Sequence, residues 1–221
     1  MGFEALPERL AQVRAVLAQR AAHPVTIVAV TKGFGTDAIR AALAAGLADI
    51  GENRVQEAVQ KQDELQSLSG IRWHLIGHLQ RNKARVAAGR FELVHALDSL
   101  ELAQELDRRS AAQQRVLLQV NVAGEMQKSG CAPEEAPTLA RAIAALPQLR
   151  LEGMMTMAPL TDDEDVQRRT FRGLRVLRDR IKEEGLWLPT LSMGMSGDYA
   201  SAVQEGATLI RLGTVLFGLR T

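Results

Sequence analysis

Apolar side chains follow two alternating rhythms along this chain. Leu6, Leu10, Val13 and Leu17 recur at helical spacing with charged and amide residues between them, which predicts an amphipathic helix ending near Ala22. From Val25 to Val30 the residues are instead almost all apolar and largely β-branched, the make-up of a strand buried on both faces. Thr36 is placed to cap a helix that turns Ile39 and Leu43 inward and ends at Gly46, a residue that tolerates the left-handed conformation beyond a helix terminus. The alternation then repeats, with strands expected at Asp49–Glu52, Ile71–Ile76, Leu93–Leu97, Val116–Val122, Leu149–Met157, Thr190–Met193 and Leu209–Leu212. Helices are expected from Arg54, from Asn82, from Ser99, after Pro133, near Val166 to Glu184, and briefly after Asp198.

Eight strands alternating with helices, with no composition break or long linker, predict an α/β chain folded as a single (β/α)8 barrel of the TIM type. It would span residues 1–221, with an extra helix at the N-terminus. An open doubly wound sheet is the alternative, but neither Gly-x-Gly-x-x-Gly after the first strand nor a Gly-x-x-x-x-Gly-Lys run is present.

Composition narrows the setting. Hydrophobic residues make up 46% and charged residues 24%, enough apolar surface for a sizeable core. The 27 basic and 26 acidic residues leave a formal net charge of +1, so no global field draws the protein to nucleic acid or to an anionic membrane. Cys131 is the only cysteine, which excludes an intramolecular disulfide and fits a reducing compartment. The N-terminal residues are acidic where a signal peptide would be basic, no apolar run reaches membrane-spanning length, and Leu6 stands where a myristoylation signal needs Ser or Thr. These features predict a cytoplasmic protein, and the lack of an evident interface segment predicts a monomer.

In such a barrel, chemistry sits at the C-terminal ends of the strands. Lys32 closes the first strand there, where apolar walls beneath it would favour the free amine, a nucleophile toward aldehydes. Only five of the basic residues are lysines, at positions 32, 61, 83, 128 and 182, and a guanidinium cannot replace an amine in Schiff-base chemistry. A solvated charge at a strand end is the plainer reading of a lone lysine. After strands seven and eight lie Leu191-Ser192-Met193-Gly194-Met195-Ser196-Gly197 and Arg211-Leu212-Gly213-Thr214. Barrels often hold a phosphate between these two loops, so Ser192, Ser196, Gly213 and Thr214 are candidate phosphate ligands, against the ordinary use of Gly and Ser in turns. His74 and His78 fall on one face of the third strand as drawn, which raises a metal pair without an evident third ligand. Cys131 lacks an adjacent base and reads as structural.

Several stretches together carry a family resemblance. They are Val28-Ala29-Val30-Thr31-Lys32, the run from Ile50 to Glu57 (IGENRVQE), the run from Trp73 to Lys83 (WHLIGHLQRNK), Gln119-Val120-Asn121, Lys128-Ser129-Gly130, Gly153-Met154-Met155-Thr156-Met157, Leu191 to Ser196 and Ile210 to Thr214. With them the chain resembles the pyridoxal phosphate homeostasis proteins, the YggS and PROSC group, which look like the barrel domain of alanine racemase. The resemblance implies a protein that holds pyridoxal 5′-phosphate (PLP) as a Schiff base on Lys32, with Asn53 near the ring, Arg211 near the pyridine nitrogen, and Ser192, Ser196, Gly213 and Thr214 on the phosphate. The departures are His78 in place of a frequent Pro, Thr31-Lys32-Gly33-Phe34 in place of Ser-Lys-Thr, and Gly197 before Asp198; none removes an implied cofactor contact.

A cation at the pyridine nitrogen disfavours its protonation and weakens the cofactor as an electron sink, which suits storage and hand-over of PLP to apoenzymes, with little turnover. The competing enzymatic reading is a PLP-dependent amino-acid racemase, which needs acid and base groups on opposite faces of the substrate. In alanine racemases the opposing Tyr comes from an additional C-terminal domain, which this sequence is expected to lack, and its only tyrosine, Tyr199, reads as a packing residue. A barrel enzyme acting on a phosphorylated sugar is a third reading. Lys83 and Lys128, in loops at the same end as Lys32, are weak candidates for secondary cofactor contacts.

Overall fold

A computed structural model describes residues 2–125 and 127–219; Met1, Met126, Arg220 and Thr221, and with them both ends of the expected domain, lie outside the described residues. Eight strands, β1 (Thr26–Val30), β2 (Asp49–Glu52), β3 (Arg72–Leu75), β4 (Leu93–Leu97), β5 (Gln114–Gln119), β6 (Leu149–Met155), β7 (Thr190–Ser192) and β8 (Leu209–Leu212), close into a barrel in chain order. Every neighbouring pair is parallel, and β1 seals the ring against β8 in the register Val28 to Arg211. The expected (β/α)8 fold is therefore the observed one.

The helices are α1 (Leu6–Arg20), α2 (Thr36–Ala44), α3 (Val55–Glu64), α4 (Ala84–Ala87), α5 (Leu100–Arg109), α6 (Ala136–Ala144), α7 (Glu164–Glu183), α8 (Tyr199–Gln204) and α9 (Thr214–Phe217). Their starts follow local chemistry. Ser99 Oγ accepts from the Leu102 N–H at the head of α5, and Asp163 Oδ1 accepts from the Asp165 and Val166 N–H groups at the head of α7. Thr36 does not cap α2: Gly35 takes the cap position, Thr36 is already helical, and the Asp37 carboxylate accepts from the Ala38 N–H. Gly46 does end that helix, at φ +80°.

Strand alternation divides the core. Outward positions such as Ala29, Ile50, Leu75, Leu118, Met154 and Ile210 pack under the helices, while Val28, Leu93, Leu117, Met155 and Leu209 fill the barrel. Gly51 keeps the inner space open, because a Cβ there would fall 2.8 Å from Val28 Cγ1. Strand boundaries differ from the hydrophobic runs in five strands, by one residue in β1 and β7 and by two or more in the other three. β5 begins at Gln114 and ends at Gln119, since the chain turns at Asn121; β6 stops at Met155; and β3 stops at Leu75. The helix expected from Asn82 is a single 3-10 turn over Arg81–Lys83 followed by the short α4, ended ahead of Gly89 at φ +73°. None of the helices is long and apolar enough to cross a membrane, among the described residues.

Candidate functional site

The C-terminal mouth of the barrel opens into a cavity of about 420 Å³ whose walls include Lys32, Asn53, Ser196, Arg211, Gly213 and Thr214, six of the seven residues singled out in the sequence. Val30, Ile76 and Met157 supply apolar wall, and Gln119 and Ser129 supply polar groups that the sequence reading did not single out. Strand alternation aims them: Val30 and Lys32 continue the inward row of β1, and Arg211 stands two residues beyond Leu209 on the inward row of β8.

Three devices hold this rim. The first carries Lys32. Lys61 of α3, itself buried, donates to the Thr31 carbonyl at 2.9 Å, to Glu52 Oε1 at 2.7 Å and to Glu57 Oε1 at 2.8 Å, while Thr31 Oγ1 donates to Glu52 Oε1 at 2.6 Å. The Gly33 N–H donates to Glu57 Oε1 at 2.8 Å, so both neighbours of Lys32 are tied to α3. Burial raises the Glu52 carboxyl above the usual range despite its bonds to Lys61 and Thr31; burial also opposes ionisation of Glu57, but the Lys61 ammonium and the Gly33 N–H hold its carboxyl below that range. Beyond Gly33, Phe34 packs with Phe3 and Phe217 at centroid distances of 5.6 to 5.9 Å, joining the β1 loop to α9.

The second device seats Asn53. Gly77 lies against its backbone so closely that a Cβ would fall 2.4 Å from the Asn53 carbonyl oxygen. The third shapes the loops after β7 and β8. Ser196 Oγ accepts from the backbone N–H groups of Gly213 and Val215, each at 3.2 Å, and Asp198 Oδ1 accepts from the Met195 N–H at 2.5 Å. Gly194 turns the chain at φ +96°, which brings its carbonyl to the Arg211 N–H at 3.0 Å.

Arg211 is the buried cation of the site. Its Nη1 donates to the Ser192 carbonyl at 2.9 Å and to Ser192 Oγ at 2.7 Å, and its Nη2 donates to the Thr156 carbonyl at 3.1 Å. Burial lowers its pKa to about 10, with Asp198 opposing the shift, so it stays charged near neutrality.

Ser192 is set apart from the other six. It is fully buried, it does not line the cavity, and its hydroxyl lies between Arg211 and His95 Nδ1, the latter 2.9 Å away. Ser192, expected beside the phosphate, thus lies apart from the other candidate ligands: four residues before Ser196, and below the turn at Gly194, it faces the barrel interior and supports the arginine. His74 and His78 are also parted, because β3 ends between them. His74 is buried against His95 and Asp49, whereas His78 is half-exposed and 3.4 Å from Asp98.

Lys83 lines a neighbouring cleft of about 390 Å³ with Arg54 and His78. Lys128 donates to the Ala158 carbonyl at 2.8 Å and pairs with Glu125, tying two rim loops together. Cys131 is buried, which, with Glu135 nearby, pushes its thiol up to about 12 and leaves it a poor nucleophile. Tyr199 packs partly buried beside the hydrophobic core and does not line the cavity.

The family model for the alanine racemase N-terminal domain matches residues 5–221. The pyridoxal phosphate homeostasis protein of Pseudomonas aeruginosa is 45% identical over 97% of this chain and 96% of its own length. PipY of Synechococcus elongatus, solved without PLP, superposes with a TM-score of 0.88 at 40% identity, over 96% of this chain and all of that one. The same protein solved with PLP bound gives a TM-score of 0.86 at 39% identity and the same coverage. A closed barrel with this rim, matched along nearly its whole length, places the chain in the family of the pyridoxal phosphate homeostasis proteins, built on the alanine racemase N-terminal domain.

Proposed function

We propose that this protein binds PLP at the C-terminal mouth of its barrel and serves PLP homeostasis in the cytoplasm, as one monomeric cofactor-binding domain. The observation that carries this reading is the meeting of Lys32, Asn53, Ser196, Arg211, Gly213 and Thr214 around one cavity. Full-length likeness to PipY, a protein solved with PLP bound, supports it.

The donor set fits the group. An amine suits the aldehyde, backbone N–H groups and hydroxyls suit the phosphate, and a buried guanidinium suits the pyridine nitrogen, which can only accept from it. Lys32 would hold the aldehyde as a Schiff base, Asn53 would approach the ring, and Ser196, Gly213 and Thr214 would hold the phosphate. When bound, PLP supplies an electron sink for carbanions, and Arg211 would weaken that sink by keeping the nitrogen unprotonated.

We infer weak turnover from the position of the one tyrosine. Racemisation needs a second acid–base group facing Lys32 across the substrate, and Tyr199 stands away from the cavity wall. The protein would therefore store PLP and release it to PLP-dependent apoenzymes.

The test is a titration of the purified protein with PLP, followed by mixing with a PLP-dependent apoenzyme and a parallel assay for alanine racemisation. Saturable one-to-one binding, restored apoenzyme activity and racemisation no faster than free PLP are expected. Enzyme-like racemisation would move the racemase reading ahead, and absence of binding would favour a barrel acting on a phosphorylated sugar.

A further inference from the structure

Behind the cofactor cavity, a file of polar side chains crosses a barrel interior that is otherwise apolar. Arg211 Nη1 donates to Ser192 Oγ at 2.7 Å; Ser192 Oγ lies 2.9 Å from His95 Nδ1; His95 Nε2 lies 2.9 Å from His74 Nδ1; and His74 Nε2 lies 3.0 Å from Asp49 Oδ1. Asp49 in turn accepts two hydrogen bonds from Arg72, at 2.7 and 2.6 Å. Ser192, His95 and His74 are buried, and Asp49 and His74 help line a separate cavity at the opposite, N-terminal mouth. The file thus joins the two ends of the barrel.

Its proton order follows from its ends. A guanidinium can only donate, so Ser192 Oγ accepts from Arg211. An ionised carboxylate can only accept, so His74 Nε2 carries a proton and donates it to Asp49. Burial, with the Arg211 guanidinium nearby, holds His95 well below the usual histidine range, so it carries one ring proton. With His95 carrying one ring proton and the His74 proton held on Nε2 by Asp49, the file runs in one order. His95 donates from Nε2 to His74 Nδ1, and the Ser192 hydroxyl donates to His95 Nδ1, leaving lone pairs on Oγ for Arg211. In the reverse arrangement His95 would donate from Nδ1 to Ser192 Oγ, which would leave the Ser192 proton without an acceptor in the file and, with the His74 proton on Nε2, no proton between His95 Nε2 and His74 Nδ1.

We propose that Asp49, His74, His95 and Ser192 are positioning residues that form a one-way hydrogen-bonded file, fixing Arg211 at the cofactor cavity from the far mouth of the barrel. The consequence for cofactor rests on the PLP reading above. The order of protons does not. Asp49, at the N-terminal mouth, thereby influences a guanidinium at the C-terminal mouth that it does not touch.

The experiment has two arms. In the first, ¹⁵N-histidine NMR of the protein without PLP is expected to show a proton on Nε2 of both His74 and His95 and none on His95 Nδ1. Asp49→Asn, whose amide can donate back to His74, is expected to move the His95 proton to Nδ1. A wild-type His95 protonated on Nδ1, or one indifferent to Asp49→Asn, overturns the proposal. In the second arm, PLP affinity is measured for Ser192→Ala, His95→Phe and the double variant, with unfolding curves to verify the fold. Each single change is expected to weaken binding about tenfold, as loss of a hydrogen bond to a charged group does, and the double variant no more than about tenfold, because both cut one file. Unchanged affinity, or losses that multiply, overturns it. Should wild type bind no PLP, the cofactor reading fails, and the first arm still decides the file.

Discussion

Replacing Lys61 by Met isolates the network that holds Lys32. The Lys61 ammonium pairs with Glu52 at 2.7 Å. Glu52 has a fully buried side chain, and its Oε2 already lacks a hydrogen-bond partner. Removing one member of such a pair typically costs about 3–5 kcal/mol, since the other charge stays buried without compensation. The carboxyl has an escape, which is to bind a proton. From an ordinary value of 4.5, protonation at pH 7 costs about 3.4 kcal/mol, at about 1.4 kcal/mol per pH unit, and this bounds the electrostatic part. The lost bond to the Thr31 carbonyl adds about 1 kcal/mol.

The expected destabilisation is therefore about 3–4 kcal/mol at pH 7, a drop of about 1–2 M in the urea midpoint. It should shrink as the pH falls toward 5, because burial has already raised the Glu52 carboxyl and a neutral Glu52 no longer needs the ammonium. Adding Glu52→Gln to Lys61→Met should recover more than half of the loss at pH 7. Urea unfolding of wild type, Lys61→Met, Glu52→Gln and the double variant at pH 7 and 5.5 reads all of this. A loss below about 1 kcal/mol, or one independent of pH and of Glu52→Gln, would refute the reasoning.

Three further outcomes are expected. Burial opposes ionisation of Asp49, but bonds from Arg72 and His74 outweigh it and hold the carboxyl at about 2 against an ordinary 3.8. A depressed carboxyl contributes stability above its ordinary value and loses it as the pH falls through its folded value. Asp49→Asn should thus cost about 1–2 kcal/mol at pH 6, after allowance for solvent at the open mouth, and nearly nothing at pH 2, measured by thermal unfolding across that range. Gly77→Ala should lower PLP affinity at least tenfold by displacing the Asn53 backbone, and binding within twofold of wild type by titration would exclude the close approach as a determinant. Cys131 should resist a thiol reagent at pH 8 in the folded protein and react at once in denaturant; rapid labelling of the native protein would contradict its burial.

The barrel was legible because parallel strands buried on both faces leave continuous apolar runs, and each run here is followed by turn chemistry and a helical period. Element ends were less legible. The apolar run at Ile71–Ile76 overshoots β3, and that overshoot made His74 and His78 look like partners. The short α9 gave no period to read. The candidate residues that line the rim cavity were named from two sources: Lys32, Ser196, Gly213 and Thr214 from their places at strand ends and in the turns that follow, and Asn53 and Arg211 from the family resemblance. The interior file was missed for a different reason. His95 is one polar residue in Leu93-Val94-His95-Ala96-Leu97, and its partners lie 21 and 97 positions away, so no local spacing links them. The available signal was inward parity on closed strands: 74, 95, 192 and 211 all fall on inner rows once the barrel is drawn. Parity alone puts Ser192 and Ser196 on one row; the Gly194 turn separates them, leaving Ser192 inside the barrel and carrying Ser196 beyond it.

The central claim is that Lys32 carries PLP at the barrel mouth, and borohydride reduction of the PLP-loaded protein followed by peptide mapping tests it most directly. The account predicts one phosphopyridoxyl label, on Lys32, lost in Lys32→Ala together with the absorbance band near roughly 420 nm that a Schiff base of the cofactor gives. A label on another lysine, or unchanged labelling and absorbance in Lys32→Ala, would contradict it.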